Sequence, residues 1–373
     1  MRICVDATAL LQQGAGIKTY IYQWTRHLRA AAGGNEVALF PWLDFPQECP
    51  LDRSVIGPAA TALRLAGVFG FNNRICRALG ISPLDAMARR FDVFHASHQM
   101  LHPPRGVCLT TTIHDLTAWL MPELHTQATT RGHQEFAERV LAPATAVIAI
   151  SESTRQDAIR ILGLAPEKIT VIYNGVAPEY FGAAAKPPAG LTKPYILFVG
   201  TIEPRKNVAA LLDAYEAFPR AEREAFDLVI AGPPGWNEEA TIGRLRKPAA
   251  GIHYLGYVPE SDLPGLTAGA VMLVYPSLYE GFGIPVAQAM AAGVPVITSS
   301  ISSLPEITGD AALHVDPRSV PALSAAMQTL LGSSDLQRQL RERGIRRAEM
   351  FRWETCALKS WEFFAAAVQR YNQ

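Results

Sequence analysis

The residue types best suited to chemistry lie in the segment 279–285 (Tyr-Glu-Gly-Phe-Gly-Ile-Pro), where a carboxylate stands among glycines. The apolar run 271–275 before it is continuous, which predicts a buried parallel strand. A proline just inside the next segment and a glycine just past it predict a helix over 284–292. The glycines therefore leave backbone N–H groups at the positive end of a helix, a position that favours an anion.

Glu280 stands beside this predicted anion site. A phosphate next to a carboxylate suits a ligand that carries both phosphate and hydroxyl groups, such as a sugar phosphate or a nucleotide sugar. A plainer interpretation is that Glu280 only complements the dipole of the helix. The segment by itself leaves both interpretations open.

A second charged segment follows another predicted strand. The apolar run 195–200 leads into 201–207 (Thr-Ile-Glu-Pro-Arg-Lys-Asn), and an apolar helical pattern comes next. Asn207 is a good N-cap residue, so Arg205 and Lys206 are expected just before a helix N-terminus. Cations are unfavourable there unless an anion binds, and both side chains suit phosphate. Two solvated loop cations would have the same sequence, but the C-terminal ends of parallel strands favour a ligand site.

Strand and helix patterns alternate along the whole chain, which predicts parallel sheets covered by helices. In the first half, strands are predicted over residues 2–7, 37–42, 93–96, 108–113, 146–150 and 170–173. In the second half, they are predicted over residues 196–199, 228–231, 252–255, 271–275, 295–298 and 313–315. The Pro- and Gly-rich segment 182–190 between the two sets predicts a linker. The expected fold is therefore α/β, with two Rossmann-like parallel-sheet domains facing each other across a cleft.

The composition is that of an ordinary globular protein. The chain has 373 residues, enough for two domains, and its 34 basic residues balance 34 acidic ones. A balanced charge argues against a nucleic-acid binder, and no apolar run approaches the ~18 residues that span a bilayer. The five cysteines are spread along the chain without a C-x-x-C pair, which indicates a reducing compartment. We therefore expect a cytoplasmic protein.

Several motifs together resemble the family-4 retaining glycosyltransferases. They are the segments 14–16, 113–116, 172–176, 198–207, 279–290, 302–306 and 351–354. Within that family the chain is most similar to bacterial mannosyltransferase-like enzymes of surface-polysaccharide assembly. The resemblance implies the GT-B architecture, with an N-terminal acceptor-side domain over 1–182, a linker over 183–193, a nucleotide-sugar-binding domain over 194–350 and a C-terminal helix within 351–373 that crosses back to the first domain.

The resemblance also implies roles for individual residues. The catalytic positions are His114, Arg205, Lys206 and Glu280, where the two cations meet the leaving diphosphate and the glutamate orients sugar hydroxyls. The donor-binding positions are Gly16, Thr201, Tyr257, Val258, Phe282, Gly283, Ile284 and Gln288.

The sequence allows two interpretations of the histidines. His114 follows the fourth predicted strand, and a lone loop histidine is more often structural than functional. At the C-terminal end of a strand it is also placed to hydrogen-bond a donor sugar near its reacting carbon, and the family resemblance favours that role. His95, His98 and His102 have no acidic partner that completes a metal site, so we interpret them as loop and strand-end residues.

One position departs from the family pattern. The family carries two glutamates separated by seven residues, and this chain has Glu280 followed by Gln288. In the family the second glutamate holds the nucleotide ribose. A glutamine accepts the same hydrogen bond as a neutral and therefore weaker acceptor. We expect weaker donor binding rather than lost chemistry, and a catalytically inactive homologue is the alternative.

The leading hypothesis is a retaining hexosyltransferase that moves mannose from GDP-mannose to a glycan or lipid-linked sugar acceptor. The sequence has no Asp-x-Asp pair, so we expect no metal and no cofactor besides the nucleotide-sugar co-substrate. With no obvious carboxylate nucleophile, front-face attack assisted by the leaving phosphate is the expected route to retention. The alternatives are a UDP- or dTDP-sugar donor, a sugar-nucleotide epimerase, and an NAD-dependent oxidoreductase suggested by the partial glycine pattern at Gly14 and Gly16.

A local excess of basic residues raises the question of a membrane contact. Residues 51–110 hold seven Lys or Arg and three Asp or Glu, and the segment 63–77 mixes arginines with aromatic and aliphatic side chains. This mixture suits the cytoplasmic face of a membrane or lipid phosphates. An amphipathic element that simply covers the sheet has the same composition, so both interpretations stay open.

Overall fold

The computed structural model describes residues 1–14 and 16–373 and divides into two compact units. Unit 1 comprises Met1–Gly175 and Trp353–Gln373, and unit 2 comprises Val176–Arg352. The segment 183–193, for which the sequence predicts a linker, lies within unit 2. Ala15, the middle residue of the predicted glycine loop, lies outside the described residues.

Unit 1 is built on a six-stranded parallel sheet. Its strands are β1 (Arg2–Asp6), β2 (Glu36–Phe40), β3 (Val93–Ala96), β4 (Cys108–Ile113), β5 (Ala146–Ala149) and β6 (Ile169–Val171). They lie in the order β2-β1-β3-β4-β5-β6, and every neighbouring pair is parallel. The order reverses between β1 and β3, which makes this pair the topological switch point, the place where open α/β sheets bind ligands.

Unit 2 repeats this plan with a second six-stranded parallel sheet. Its strands are β7 (Tyr195–Val199), β8 (Asp227–Ala231), β9 (Ile252–Gly256), β10 (Met272–Tyr275), β11 (Val296–Ser299) and β12 (Ala312–Val315). They lie in the order β12-β11-β10-β7-β8-β9, again all parallel. The order reverses between β7 and β10, so the second switch point lies there.

Helices alternate with the strands in both units. Those of unit 1 are Gly16–Ala30, Pro58–Leu65, Arg77–Leu79, Leu84–Ala88, Thr117–Leu120, Gln127–Phe136, Glu152–Leu162 and Trp353–Tyr371, with π-helical segments at Ala66–Cys76 and Ala137–Leu141. Those of unit 2 are Val208–Glu216, Arg220–Ala225, Glu239–Arg246, Leu263–Ala268, Ile284–Ala291, Leu304–Thr308, Val320–Leu331 and Ser334–Ala348. Short 3₁₀ turns occur at Thr8–Leu11, Pro122–Leu124, Pro166–Lys168, Pro178–Tyr180, Pro204–Lys206 and Glu349–Phe351.

The sequence pattern predicts this architecture well. All twelve predicted strands are present, with bounds that differ by no more than two residues, and the α/β fold class is confirmed. The reason is physical: parallel strands are buried on both faces and therefore appear as continuous apolar runs. In β1, for example, Ile3 and Val5 belong to one apolar core of unit 1 and Cys4 belongs to the other, as the alternation of side chains in a strand requires.

The last helix, Trp353–Tyr371, is part of the core of unit 1. Its residues pack beside helix Gly16–Ala30, where the Trp24 indole N–H donates to the Ser360 hydroxyl at 2.9 Å and the Trp361 indole donates to the Leu28 carbonyl at 3.1 Å. Among the described residues, no helix is long and apolar enough to cross a membrane.

Candidate active site

The two loops at the switch point of unit 2 bring opposite charges together. The loop after β7 carries Arg205 and Lys206, and the loop after β10 carries Glu280. Arg205 Nη1 lies 2.8 Å from Glu280 Oε2, and Lys206 Nζ lies 2.6 Å from Glu280 Oε1. A second carboxylate, Glu203, pairs with Arg205 Nη2 at 2.8 Å. These four residues, called the charged cluster below, combine two cations with two carboxylates.

Burial makes the electrostatics of the charged cluster strong. Burial alone disfavours a charged carboxylate, but the charges of Arg205 and Lys206 outweigh it and lower the pKa of Glu280 to about 2. Burial also lowers the pKa of Lys206, followed by repulsion from Arg205, while Glu280 acts in the opposite sense. Each charge in the cluster is thus maintained by its partner, and an anion that entered would compete with Glu280 for the same cations.

The sequence did not reveal two members of this arrangement. Glu203 is one, and Tyr275, the last residue of β10, is the other: its hydroxyl accepts a hydrogen bond from Lys206 Nζ at 2.5 Å. Glu203 lies two residues before Arg205 in the same loop, and the sequence analysis did not single out this pair. The bond between Lys206 and Tyr275 depends on which strands are neighbours in the sheet, and a local pattern does not contain that information. The only local hint was a polar hydroxyl at the end of an otherwise apolar strand.

Asn207 stands at the predicted N-cap position of the helix Val208–Glu216, but its side chain does not cap the helix. Its backbone is left-handed, with φ 57°, and its side chain accepts no bond from the following helix. The side-chain amide instead donates to the carbonyls of Pro276, at 3.2 Å, and Pro317, at 2.7 Å. The chain makes a 3₁₀ turn at Pro204–Lys206 just before the helix. The bond from Asn207 to Pro276 joins the loop after β7 to the loop after β10, so the side chain links these loops instead of capping the helix.

The backbone around Glu280 is held by neighbouring hydroxyls. The Glu280 amide donates to the Ser302 hydroxyl at 3.1 Å, and the Ser303 hydroxyl donates to the Glu280 carbonyl at 2.8 Å. Three residues on, Gly283 has φ 95°, and a Cβ at this position would lie 2.6 Å from the Leu304 side chain. A glycine is therefore required there, immediately before the helix Ile284–Ala291.

The other predicted donor-binding residues of unit 2 are spread along the same edge of the sheet. Thr201 follows β7, whereas Tyr257 and Val258 follow β9, two strands away; Tyr257 is exposed. Phe282 is buried and packs edge-on against Phe351, with ring centroids 5.4 Å apart, so its side chain belongs to the core.

Two predicted donor-binding residues lie on the helix that follows the charged cluster. Ile284 is its first residue, and Gln288 lies in its second turn; both side chains are half-buried. The helix presents its positive end to the side of the sheet that carries Glu280, as the sequence pattern predicts.

The switch point of unit 1 has a different character. Asp6 ends β1 and is fully buried; its carboxylate accepts from the Thr8 hydroxyl at 2.5 Å, the Thr8 amide at 3.1 Å and the Ser97 amide at 3.3 Å. Burial raises the pKa of Asp6, and these hydrogen bonds oppose the rise only in part. The residue joins the loops that leave β1 and β3.

Two uncharged histidines lie in β3 and in the loop after β4. Burial and the neighbouring His114 lower the pKa of His95 to about 3, and its two ring nitrogens lie 3.0 Å from the hydroxyls of Thr110 and Thr112. His114 follows β4, and its ring meets Tyr20 edge-on, with centroids 4.7 Å apart. Burial lowers its pKa to about 4, with Asp115 opposing. The structure therefore makes these imidazoles neutral hydrogen-bonding groups.

The other two histidines of this region also have identifiable surroundings: His98 is held neutral by burial, and His102 bonds to a backbone carbonyl. Burial lowers the pKa of His98 to about 4, with a further contribution from His114. His102 Nε2 lies 2.9 Å from the carbonyl of Ile81. Among the described residues, no group of three or more His, Cys, Asp or Glu side chains is arranged to hold a metal ion.

The first helix contacts His114 through Tyr20, its fifth residue. Gly16 is its exposed first residue, and a Cβ built there would meet nothing within 4 Å. Packing therefore does not demand a glycine at this position, which is consistent with a ligand that approaches the backbone closely. Lys18, the third residue of this helix, is buried. Its ammonium donates to the carbonyls of Gln12, at 2.8 Å, and Arg53.

Two units, each built on a six-stranded parallel sheet, are the architecture of the GT-B glycosyltransferases. The chain's residues 14–180 match the family described as "Glycosyltransferase Family 4", and residues 183–347 match "Glycosyl transferases group 1". The chain belongs to this glycosyltransferase family.

Individual relatives agree with this assignment. The chain is 33% identical over 277 residues to the O-antigen chain mannosyltransferase B of Escherichia coli, covering 72% of each protein. It is 30% identical over 299 residues to the glycogen synthase of Mycobacterium tuberculosis strain H37Rv, covering 76% of this chain and 71% of the relative. The sucrose-phosphate synthase of Thermosynechococcus elongatus has the same fold, with a TM-score of 0.73 and 20% identity over 98% of both chains.

Proposed function

We propose that this glycosyltransferase is a retaining, metal-independent mannosyltransferase that uses GDP-mannose and acts on a glycan or lipid-linked sugar acceptor. The observation that carries the proposal is the pair of cations, Arg205 and Lys206, held at a switch point by the buried Glu280. The relative named O-antigen chain mannosyltransferase B supports mannose as the sugar.

The charged cluster suits the departure of a diphosphate. The bond between the sugar's anomeric carbon and the phosphate oxygen breaks, and its electron pair leaves with the diphosphate. Arg205 and Lys206 meet the charge that develops on that oxygen, as preorganised donors in a buried site. The acceptor hydroxyl attacks the same face of the anomeric carbon and gives its proton to the departing phosphate, so the configuration is retained.

The uncharged groups of unit 1 suit the sugar. A neutral His114 is able to accept or donate a hydrogen bond to a sugar hydroxyl without bringing a second positive charge to the anomeric carbon. Gly16 offers an open backbone to the donor or the acceptor. In unit 2, Gln288 is proposed to hold the nucleotide ribose.

A donor screen tests this function. The purified protein is incubated with an acceptor and GDP-, UDP- or dTDP-sugars, and nucleotide release is measured with and without EDTA. We expect GDP-mannose to be used, chelator to have no effect, and the product to be the α-anomer by NMR. Loss of activity in EDTA that magnesium restores would overturn metal independence, and an inverted product would overturn the front-face route.

A glucosyl transfer is the second candidate. It is favoured by the 30% identity to a glycogen synthase. The same screen separates the two candidates, because a preference for a UDP- or dTDP-glucose donor over GDP-mannose would replace the mannosyltransferase proposal. Conversion of a sugar nucleotide without acceptor would instead indicate an epimerase.

We also propose that the protein contacts the cytoplasmic face of a membrane through residues 63–77. Leu63, Phe71 and Ile75 are exposed at intervals of eight and four residues, whereas Val68 and Cys76 face the core. An exposed apolar row beside arginines is typical of an element that lies in the lipid headgroup region.

Vesicle sedimentation tests the membrane contact. We expect vesicles with anionic phospholipid to bind the protein at low salt and to release it as salt rises. Phe71→Ser should weaken binding, and Leu358→Ser, at an exposed position on the last helix, serves as the control. Equal binding by both variants would contradict the membrane contact and would indicate that residues 63–77 only cover the sheet.

A further inference from the structure

Tyr275 is an unusual buried tyrosine. It is the last residue of β10, is fully buried, and stacks on Phe198 of β7 with centroids 5.7 Å apart. Its hydroxyl accepts from Lys206 Nζ at 2.5 Å, and the same ammonium lies 5.0 Å from the centre of its ring. These two distances place the ammonium beyond the edge of the ring, so the phenol oxygen is the group that contacts the cation.

Other buried tyrosines of unit 2 satisfy their hydroxyls in the ordinary way. Tyr195 donates to the carbonyl of Leu266 at 2.6 Å, and Tyr215 donates to the carbonyl of Phe226 at 2.8 Å. A tyrosine that only filled the core would be expected to do the same. The contact of Tyr275 with a charged side chain of the candidate active site calls for a different explanation.

The number of donors on Lys206 supplies it. An ammonium has three N–H bonds. One is directed to Tyr275 and one to Glu280, at 2.6 Å, so one is left for a phosphate oxygen. Two fixed partners also restrict the rotation of the ammonium, which lowers the entropy lost when a ligand binds.

We propose that Tyr275 is a positioning residue that aims the third N–H of Lys206 at the leaving diphosphate and keeps the amine protonated. This proposal rests on the proposed function, because it assumes that Lys206 contacts a diphosphate. Burial and the charge of Glu280 raise the pKa of the Tyr275 hydroxyl well above its usual range, so it stays a neutral phenol. A neutral acceptor stabilises the ammonium without cancelling its charge.

The variant Tyr275→Phe removes the hydroxyl and keeps the ring. We expect kcat to fall about tenfold to a hundredfold, the effect of losing one hydrogen bond to a charged group, with a much smaller change in KM. Because the variant loses a neutral acceptor that stabilises the ammonium, we expect the alkaline limb of the kcat profile to move to lower pH. Tyr275→Leu, which also removes the ring that stacks on Phe198, should lose more.

Tyr195→Phe is the matched control, since it removes a buried hydroxyl from β7 without touching the charged cluster. It should keep the kcat and the pH profile of the wild type, and unfolding midpoints check that both variants fold. A Tyr275→Phe variant with the same kcat and the same alkaline limb as the wild type would overturn the positioning role.

A binding measurement separates this proposal from the proposed function. If the wild type turns over no sugar nucleotide, the proposed function fails, and calorimetric titration with GDP and UDP at pH 7 and pH 9 still tests Tyr275. We expect the tighter nucleotide to lose affinity between these pH values more steeply with Tyr275→Phe than with the wild type. Identical losses, or no binding of either nucleotide by the wild type, would overturn the proposal.

Discussion

The two switch points of this protein share a backbone plan and differ in chemistry. In unit 2, the loops after β7 and β10 bury full charges, with Arg205 and Lys206 compensated by Glu280. In unit 1, strand β3 and the loop after β4 bury imidazoles that stay neutral, His95 and His114, whose pKa values are lowered to about 3 and about 4. The same type of sheet therefore accommodates buried ionisable side chains in two ways: as paired charges in unit 2 and as neutral groups in unit 1.

The difference follows from the cost of an unpaired buried charge. A charged side chain remains charged in a buried site only if an opposite charge lies close by; otherwise its pKa shifts until it is neutral. Under the proposed function, the charged cluster would bind an anion, whereas the neutral ring of His114 would bind a hydrogen-bonding partner without charge, such as a sugar hydroxyl. Each of the following predictions tests one side of this comparison.

Removal of a cation should have the largest effect. We expect Lys206→Ala to lower kcat about 100- to 1,000-fold, because a preorganised donor to the leaving group is lost. The loss in unfolding free energy should be smaller in proportion, since Arg205 still compensates Glu280. Lys359→Ala, which removes an exposed lysine of unit 1, is the control. Activity near that of the wild type in Lys206→Ala would remove the cation from the mechanism.

Removal of the buried carboxylate should appear in the pH dependence of stability. The pKa of Glu280 is lowered from 4.5 in the unfolded chain to about 2 in the folded one, so its ionised form stabilises the fold above pH 4.5. This contribution to the free energy of unfolding, about 3 kcal/mol, is lost progressively as the pH falls from 4.5 to about 2. Urea unfolding between pH 7 and pH 3 should show the loss in the wild type and not in Glu280→Gln. Parallel curves for the two proteins would contradict the pairing.

The neutral side of the comparison predicts a different pH window. The imidazoles of His95 and His114 take up protons below pH 6.5 in the unfolded chain but resist protonation in the folded one until about pH 3 to 4. Unit 1 should therefore lose stability as the pH drops below 6.5. Ring nitrogen shifts measured by NMR should show both imidazoles neutral at pH 5. A ring that titrates near pH 6.5 would show that its site tolerates charge.

The smallest effect is expected at the position that departs from the family. Gln288→Glu should tighten donor binding by ~1 kcal/mol, about fivefold, because a charged acceptor bonds a ribose hydroxyl more strongly. Turnover at saturating donor should change little, since the ribose contact is equal in the ground and transition states. A large fall in turnover would show that the pocket is built around the amide.

Sequence alone predicted the strands and the segments that carry the candidate site, because burial on both faces and helix boundaries leave local patterns. It failed where the structure depends on which strands are neighbours. The bond between Lys206 and Tyr275 and the tie from Asn207 to Pro276 both join the loop after β7 to β10 or to the loop that follows it. These residues are about 70 positions apart along the chain, and no helical or strand period connects them.

The left-handed backbone of Asn207 was missed for a related reason. Asparagine suits both an N-cap and a left-handed turn, and the sequence does not say which acceptors will lie within reach of its side chain. In the structure, two proline carbonyls take that place. Local propensity therefore indicated where the turn ends, but not the two carbonyls that bind the Asn207 side chain and accompany its left-handed backbone.

The central claim is that the charged cluster binds the diphosphate of the donor. Calorimetry with GDP and with guanosine, on the wild type and on Lys206→Ala, tests it most directly. The wild type should prefer GDP, and Lys206→Ala should lose about tenfold or more of that preference while binding guanosine equally well. An unchanged preference for GDP in Lys206→Ala would contradict the claim, because it would place the diphosphate away from the switch point of unit 2.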